Sequence, residues 1–288
     1  MKKKLAICAI EKLENLYLRE WVEYYYNMGI DNIILYDNND LDGEYPHWVI
    51  GDYISNGFVK YENVRGKHRY QLDAYNDCYL KYNKDYEWIG FLDIDEFWYL
   101  NDSLRINDFF NDERFPDCCG VFVNWLCYGD NDLLHYDGRK IQERFTVPTF
   151  PLDCKSNDWV MNDVKKAFVR TNDDVKIKFL DAGYPVYSFY DELKYRDLNF
   201  YLPDGSRYYS QLTYSFDITF IKHYRTLTIE EFLYRRFCRK GYADHASFHN
   251  KDFIMKLFWE QNTWTQEKQD IVDEFFNKFN VVDDKPIN

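Results

Sequence analysis

Three carboxylates lie inside one of the most apolar stretches of the chain, GFLDIDEFWYL, at residues 90–100. Charged side chains such as Asp93, Asp95 and Glu96 are rarely buried unless they are paired or bind something. In a strand, residues two apart project to the same face, so Asp93 and Asp95 are predicted to converge. Two hard oxygen ligands suit Mg²⁺ or Mn²⁺, with the remaining positions left to water and substrate phosphate. The alternative without a metal is a strand end whose acids cap the following turn.

Alternating strands and helices in the first hundred residues predict an α/β fold with a parallel sheet. Strands are expected at residues 4–10, 32–36, 58–61 and 87–93, and helices at about 13–28, 46–55 and 69–83. Ligands of such sheets bind at the carboxyl ends of the strands, where the acids at 93–96 are expected. The second half is expected to be mixed, with strands at 120–125, 140–147, 165–170, 175–180 and 215–224. The chain is predicted to close with helices at about 228–240, 251–262 and 265–279.

Composition narrows the class of protein. The chain has 288 residues, of which 46% are hydrophobic, so it can bury a large core, and its net charge of −13 argues against nucleic-acid binding. Seven cysteines without a C-x-x-C pair indicate a reduced cytoplasmic protein. The first apolar run ends at Glu11, too early for a signal peptide, and no stretch approaches the roughly 20 apolar residues of a membrane span. At most peripheral contact with the inner face of the cytoplasmic membrane is expected, through Lys2 to Lys4.

Ordered sequence blocks resemble glycosyltransferases of the family 2 and family 92 type, which are D-x-D enzymes with the GT-A fold and include bacterial polysaccharide glycosyltransferases. The blocks are ICAIEKLENLYLREWVEYYYNMGIDNIILYDNND, QLDAYNDC, WIGFLDIDEFW, VFVNWLCYGDND, IQERF, VKKAFVR and IKHYRTLTIEEFLYRR. The resemblance covers about residues 4–240. It implies a GT-A-type, Rossmann-like nucleotide-sugar-binding sheet in residues 1–240, with a donor half to about residue 100 and an acceptor half from 101. Residues 241–288 are expected to form a helical extension packed on the same domain.

The activity that the resemblance implies is metal-dependent, inverting transfer of a hexose, with galactose or glucose favoured. The donor would be a UDP-sugar, and the acceptor a saccharide or lipid-linked saccharide in surface glycan synthesis. Mn²⁺ or Mg²⁺ would stabilise the leaving diphosphate. Two other classes of function stay open: a metal-dependent nucleotidyltransferase or phosphohydrolase, and a non-catalytic carbohydrate-binding protein.

The resemblance also implies roles for donor-side residues. Asp95 would bind the metal directly, Asp93 would contact the ribose or bind the metal through water, and His223 would complete the metal shell. Glu96 would orient these acids or the donor sugar. The other implied donor contacts are Ala9, Glu11, Asp37, Arg65, Arg69, Gln71, Asp73 and Lys166. For Asp37 an Asx turn is an equal alternative, and for the basic run that includes Arg65 and Arg69 the alternative is a solvated surface.

The resemblance implies acceptor-side residues on the loop after the strand at 120–125. An inverting transferase needs a base for the acceptor hydroxyl, and Asp130 is favoured, with Asp132 and Glu143 as the other candidates. Trp125 and Tyr128 would stack on a sugar ring, with core packing as the alternative.

Overall fold

Four parallel strands form the front half of the sheet, as predicted. In the computed structural model, which describes residues 2–101, 104–111, 113–149, 164–171, 200–208, 216–237 and 251–279, these strands are β1 (Lys3–Glu11), β2 (Asn32–Asp37), β3 (Val59–Asn63) and β4 (Tyr86–Phe91). β1 lies between β2 and β4, and β3 pairs with the outer side of β2. Strand β1 is almost entirely buried, which explains its continuous apolar sequence.

The second half of the sheet is mixed, as predicted. Its strands are β5 (Glu96–Leu100), β6 (Gly120–Cys127), β7 (Lys165–Arg170), β8 (Phe200–Tyr201) and β9 (Thr219–His223). The strand order is β3-β2-β1-β4-β7-β6-β9-β5, with β8 beside β6. β7 runs antiparallel to both β4 and β6, and β5 runs antiparallel to β9. The predicted α/β class is therefore confirmed.

The helices also follow the sequence pattern closely. They are α1 (Asn15–Met28), α2 (His47–Ser55), α3 (Gln71–Tyr82), α4 (Ile106–Phe109), α5 (Ile141–Arg144), α6 (Ile229–Phe237), α7 (Lys251–Trp259) and α8 (Gln266–Phe279). Helix α1 ends at Gly29, whose φ of 86° is the left-handed conformation that glycine adopts without steric cost. None of the helices in the described ranges is long and apolar enough to cross a bilayer.

The chain divides into two units. The first comprises Met1–Leu126 and Leu152–His223, and the second comprises Cys127–Pro151 and Tyr224–Asn288. The core of the second unit includes apolar side chains of α6, α7 and α8, among them Phe232, Phe258 and Phe276. The predicted helical C-terminal tail is thus confirmed, while the predicted boundary at residue 240 lies outside the described residues.

Some local expectations were wrong. The segment predicted as a strand at 140–147 begins with the single-turn helix α5. Ile141 and Arg144 are three residues apart, the helical spacing, and both are buried. On α1, Leu16 is exposed and Leu18 is buried. Strand β5 was not expected at all, and the predicted strand at 175–180 lies outside the described residues.

Helix α1 anchors the start of β5. The indole N–H of Trp21 and the hydroxyl of Tyr25 both donate to the carbonyl oxygen of Glu96, at 2.8 and 2.9 Å. The Tyr25 oxygen also accepts a hydrogen bond of 2.8 Å from the backbone N–H of Trp98. These bonds are buried, so they fix the start of β5, directly after Asp93 and Asp95.

Replacing Tyr25 with phenylalanine should lower the free energy of unfolding by about 1–3 kcal/mol, because the buried N–H of Trp98 loses its partner. Tyr26→Phe on the same helix is the matched control: Tyr26 is half exposed, and its change should stay within about 0.5 kcal/mol. Urea unfolding of both variants measures the difference. Equal losses in the two variants would contradict the anchoring role of Tyr25.

Candidate functional site

The three acids lie in a turn between β4 and β5. The chain leaves β4 after Phe91, and the backbone N–H of Glu96 donates to the carbonyl oxygen of Asp93 at 3.1 Å, which closes the turn. The expectation that Asp93 and Asp95 project from one strand is therefore wrong. The predicted strand was two residues too long, because the apolar pattern continues past the point where pairing ends.

Lys166 supplies the cation for this turn. Phe168 of β7 pairs with Gly90 of β4, so the antiparallel register brings Lys166 beside the chain as it leaves β4. Its ammonium lies 2.8 Å from Asp93 Oδ2 and 3.3 Å from Glu96 Oε2. The lysine side chain is almost fully buried, so this ion pair is only weakly screened by solvent.

Glu96 is the most deeply buried acid of the turn. Its Oε2 accepts a hydrogen bond of 2.9 Å from the backbone N–H of Asp93, and its Oε1 has no hydrogen-bond partner among the described residues. Burial raises the pKa of Glu96 well above its usual value, although the charge of Lys166 acts in the opposite direction. Folding therefore favours the protonated form of Glu96.

Helix α3 holds Asp93 from another side. Gln71 Nε2 and the Tyr75 hydroxyl both donate to Asp93 Oδ1, at 3.1 and 3.3 Å. Gln71 was a predicted donor-side residue, and the structure brings it to the acidic turn. Tyr75 was missed, although its position four residues after Gln71 places both on one face of α3.

Asp95 meets His223 across the β5–β9 pair. Glu96 is the ladder partner of His223, and the His223 Nε2 lies 3.7 Å from Asp95 Oδ1. The ring of Trp125 packs at 4.1 Å from the imidazole ring. Trp125 is largely buried, as the core-packing alternative for this residue requires.

The residues present fit a divalent cation through two protein ligands. No group of three or more His, Cys, Asp or Glu side chains in the described ranges surrounds one metal position. Asp95 and His223 are close enough to share an ion, whereas Asp93 is paired with Lys166. A carboxylate and an imidazole suit Mn²⁺ and leave several positions for water and phosphate oxygens.

Asp37, a predicted donor contact, is hydrogen-bonded to other residues of the protein. Its Oδ2 accepts hydrogen bonds from Tyr61 at 2.7 Å and Arg65 at 2.8 Å, and its Oδ1 accepts from the backbone N–H of Asn39 at 3.0 Å. The last bond is the Asx turn that was the alternative for Asp37. Burial would raise the pKa of Asp37, but these hydrogen bonds outweigh it and hold the pKa below its usual value.

Arg65, a predicted donor contact, also binds the loop that follows β2. Its guanidinium also donates to the carbonyl oxygens of Asp40, Gly43 and Glu44. Of the other predicted donor contacts, Ala9 and Glu11 are buried in β1, and Glu11 accepts from the Asn39 amide at 2.6 Å. Arg69 and Asp73 are exposed near the start of α3.

The predicted acceptor-side acids lie in the second unit. Asp130 is buried, and its Oδ2 is 2.7 Å from the ammonium of Lys268. Burial raises the pKa of Asp130 although Lys268 lowers it. Asp132 donates its backbone N–H to Asp130 Oδ1 at 3.0 Å, and its own carboxylate lies 3.1 Å from Lys268. Glu143 is exposed on α5.

Tyr128, predicted to stack on an acceptor sugar, is buried and packs against Tyr224 with ring centroids 5.0 Å apart. Lys268 was not predicted as a site residue, because it lies 136 positions from Asp132 in sequence and carries no motif.

The sequence model of glycosyltransferase family 92 matches residues 3–173, more than half of the chain. The chain belongs to glycosyltransferase family 92. A family 92 protein of Ricinus communis is 31% identical over 108 residues, which cover 36% of this chain and 19% of the relative. A family 92 protein of Arabidopsis thaliana is 28% identical over 100 residues, covering 35% of this chain and 17% of that protein. The aligned stretches thus span about a fifth of these relatives.

A solved structure, the crystal structure of S. aureus TarS, aligns with 96% of this family 92 chain and 43% of its own, at a TM-score of 0.41 and 10% identity. A similarity of this size supports no conclusion about fold or function. The family-matched region contains Asp93, Asp95 and Lys166, whereas His223 and Lys268 lie beyond it.

Glu96→Gln should change how stability depends on pH. Because the folded chain raises the pKa of Glu96, its contribution to stability is fully present below the unfolded pKa, near 4.5, and is lost as the pH rises through the folded pKa. The variant lacks this loss, so its free energy of unfolding relative to the wild type should increase from pH 5 to pH 8. Unfolding without added divalent metal measures this, with Tyr26→Phe as the non-titrating control. Parallel curves for wild type and Glu96→Gln would contradict the raised pKa.

Proposed function

We propose that this family 92 protein transfers a hexose, galactose or glucose, from a UDP-sugar to a saccharide or lipid-linked saccharide acceptor. The observation that carries the proposal is the acidic turn, where Asp93, Asp95 and Glu96 meet Lys166 and His223 within one unit. The proposal places the donor on a GT-A-type sheet and the reaction in the cytoplasm, in surface glycan synthesis. It includes peripheral contact with the membrane where the acceptor is lipid-linked.

Six donor-side residues have a defined part in this proposal. Asp95 and His223 would hold Mn²⁺ or Mg²⁺, which when bound would stabilise the charge on the leaving diphosphate. Gln71 and Tyr75 keep Asp93 oriented toward the donor ribose. Lys166 is a buried cation at the turn, and its ammonium would exchange part of its contact with Asp93 for a phosphate oxygen.

The base of the proposed reaction is Asp132 rather than Asp130. Both oxygens of Asp130 have partners, the backbone N–H of Asp132 and the ammonium of Lys268, and the side chain is buried. The side chain of Asp132 is 78% exposed and can meet an acceptor. Its carboxylate takes the acceptor hydroxyl proton while the acceptor oxygen bonds to the anomeric carbon. The bond from that carbon to the diphosphate breaks, and UDP leaves with the electron pair.

Asp95→Asn should weaken Mn²⁺-dependent UDP binding by about 10²-fold and leave metal-free UDP binding nearly unchanged, because it removes one of two protein ligands. Asp85→Asn is the matched control, since Asp85 directly precedes β4 and its side chain is half exposed. Calorimetry with UDP, with and without Mn²⁺, measures both. Unchanged Mn²⁺ dependence in Asp95→Asn would show that Asp95 is not a metal ligand, and UDP binding by the wild type that does not depend on Mn²⁺ would remove the metal from the proposal. Release of phosphate or nucleotide without sugar transfer would indicate a phosphohydrolase or nucleotidyltransferase instead.

Asp132→Asn should lower kcat for transfer by about 10²–10⁴ with little change in UDP-sugar affinity, as expected for loss of a general base. Glu143→Gln, on the exposed face of α5, should retain most of the activity. Product NMR should show a β-linkage from an α-linked donor. An α-linkage would contradict inversion, and a larger loss in Asp130→Asn or Glu143→Gln than in Asp132→Asn would assign the base to that residue.

A further inference from the structure

The second unit contains a lysine that joins two acids from a loop far away in sequence. Lys268 is the third residue of α8, and its side chain is 1% exposed. Its ammonium lies 2.7 Å from Asp130 Oδ2 and 3.1 Å from Asp132 Oδ1, and it donates to the carbonyl oxygen of Thr263 at 2.9 Å. The ammonium therefore hydrogen-bonds to Asp132 and Thr263 and forms an ion pair with Asp130.

The turn between α7 and α8 packs closely on the same loop. The side-chain oxygen of Asn262 accepts a hydrogen bond of 2.6 Å from the backbone N–H of Asp130. A Cβ placed on Gly129 would lie 2.9 Å from that oxygen and 3.0 Å from the carbonyl oxygen of Gln261. Contacts this short leave no room for a side chain at position 129, so the fit between loop and turn depends on glycine.

The charge of Lys268 offsets the repulsion between two neighbouring carboxylates. The Asp130–Asp132 pair would repel without a cation, and Lys268 is the cation that lies between the two carboxylates. Asp130 is buried and Asp132 is exposed, so the buried ammonium holds the exposed Asp132 carboxylate close to the buried Asp130 carboxylate. A second ion pair lies nearby: Arg144 binds Glu231, and its carbonyl oxygen accepts from Asn131.

A buried amide lies at the same turn. Gln261 is 6% exposed, and neither its Nε2 nor its Oε1 has a hydrogen-bond partner among the described residues. An amide offers one acceptor and two donors, which complement the hydroxyl groups of a saccharide. Polar groups buried without a partner are costly, so a ligand or water that binds there would gain their hydrogen bonds.

We infer that Lys268 is a positioning residue for the acceptor-side base and that α8 is therefore part of the catalytic machinery. Lys268 would hold the Asp132 carboxylate in one orientation through its bonds to both acids, without touching the substrate itself. The inference rests on the proposed function. It gives the C-terminal helices, which lie outside the family-matched residues 3–173, a role in transfer.

Lys268→Met should lower kcat for transfer by about 10²-fold, because a misplaced reacting group typically costs that much, and should leave the KM for UDP-sugar unchanged. Lys268→Arg keeps the charge and should recover most of this loss. In the Asp132→Asn background, Lys268→Met should cost less than about threefold, since a residue that acts through Asp132 has nothing left to position. The control is Lys256→Met on α7, whose side chain is 71% exposed.

Hydrogen exchange at residues 127–133 provides a readout that does not depend on catalysis. Lys268→Met should lose protection there, and Lys268→Arg should keep it. If Lys268→Met unfolds the second unit, Lys268→Gln replaces it in every comparison. Wild-type kcat in the Met or Gln variant, or fully additive losses with Asp132→Asn, would overturn the inference. A wild-type protein that binds UDP-sugar but transfers nothing would contradict the proposed function. In that case, unchanged hydrogen exchange at residues 127–133 in Lys268→Met would separately overturn the inference.

Discussion

Three carboxylates within four residues of an apolar turn repel one another, and the structure compensates this repulsion with the buried ammonium of Lys166. Removing one partner from such a buried pair typically costs about 3–5 kcal/mol, because the other charge stays in a poorly solvated place. The order of the sheet follows the same constraint. An antiparallel β7 beside β4 is what carries Lys166 to the end of β4, where the parallel strands place the acids.

Other contacts turn this charge balance into a fixed geometry. Trp21 and Tyr25 of α1 hold the backbone of β5, while Gln71 and Tyr75 of α3 hold the Asp93 carboxylate. The turn is thus held from two helices and one neighbouring strand. Contacts from several elements thus hold the side chains of the turn in place, which the proposed transfer reaction would require of its donor site.

The second unit uses the same physical solution with different elements. There Lys268 lies between Asp130 and Asp132, as Lys166 lies between Asp93 and Glu96. In both places one acid is buried and another is more exposed, so the lysine fixes the outer carboxylate relative to the inner one. Both lysines lie far in sequence from the acids they bind, which makes each pair a product of tertiary packing.

The sequence by itself determined the α/β class, the six longer helices and the four parallel strands, because an apolar period of 3.6 residues predicts helices and short continuous apolar runs predict buried strands. It also identified the acidic turn, Gln71, Lys166 and His223 as candidate site residues. Only the tertiary structure decided the partner of each charge: Lys166 for Asp93, Lys268 for Asp130, Arg65 for Asp37. It also decided that β4 ends at Phe91 and that Ile141–Arg144 forms a helical turn. Local periodicity reports burial, whereas pairing between distant charges depends on strand order and register, which no short segment of sequence contains.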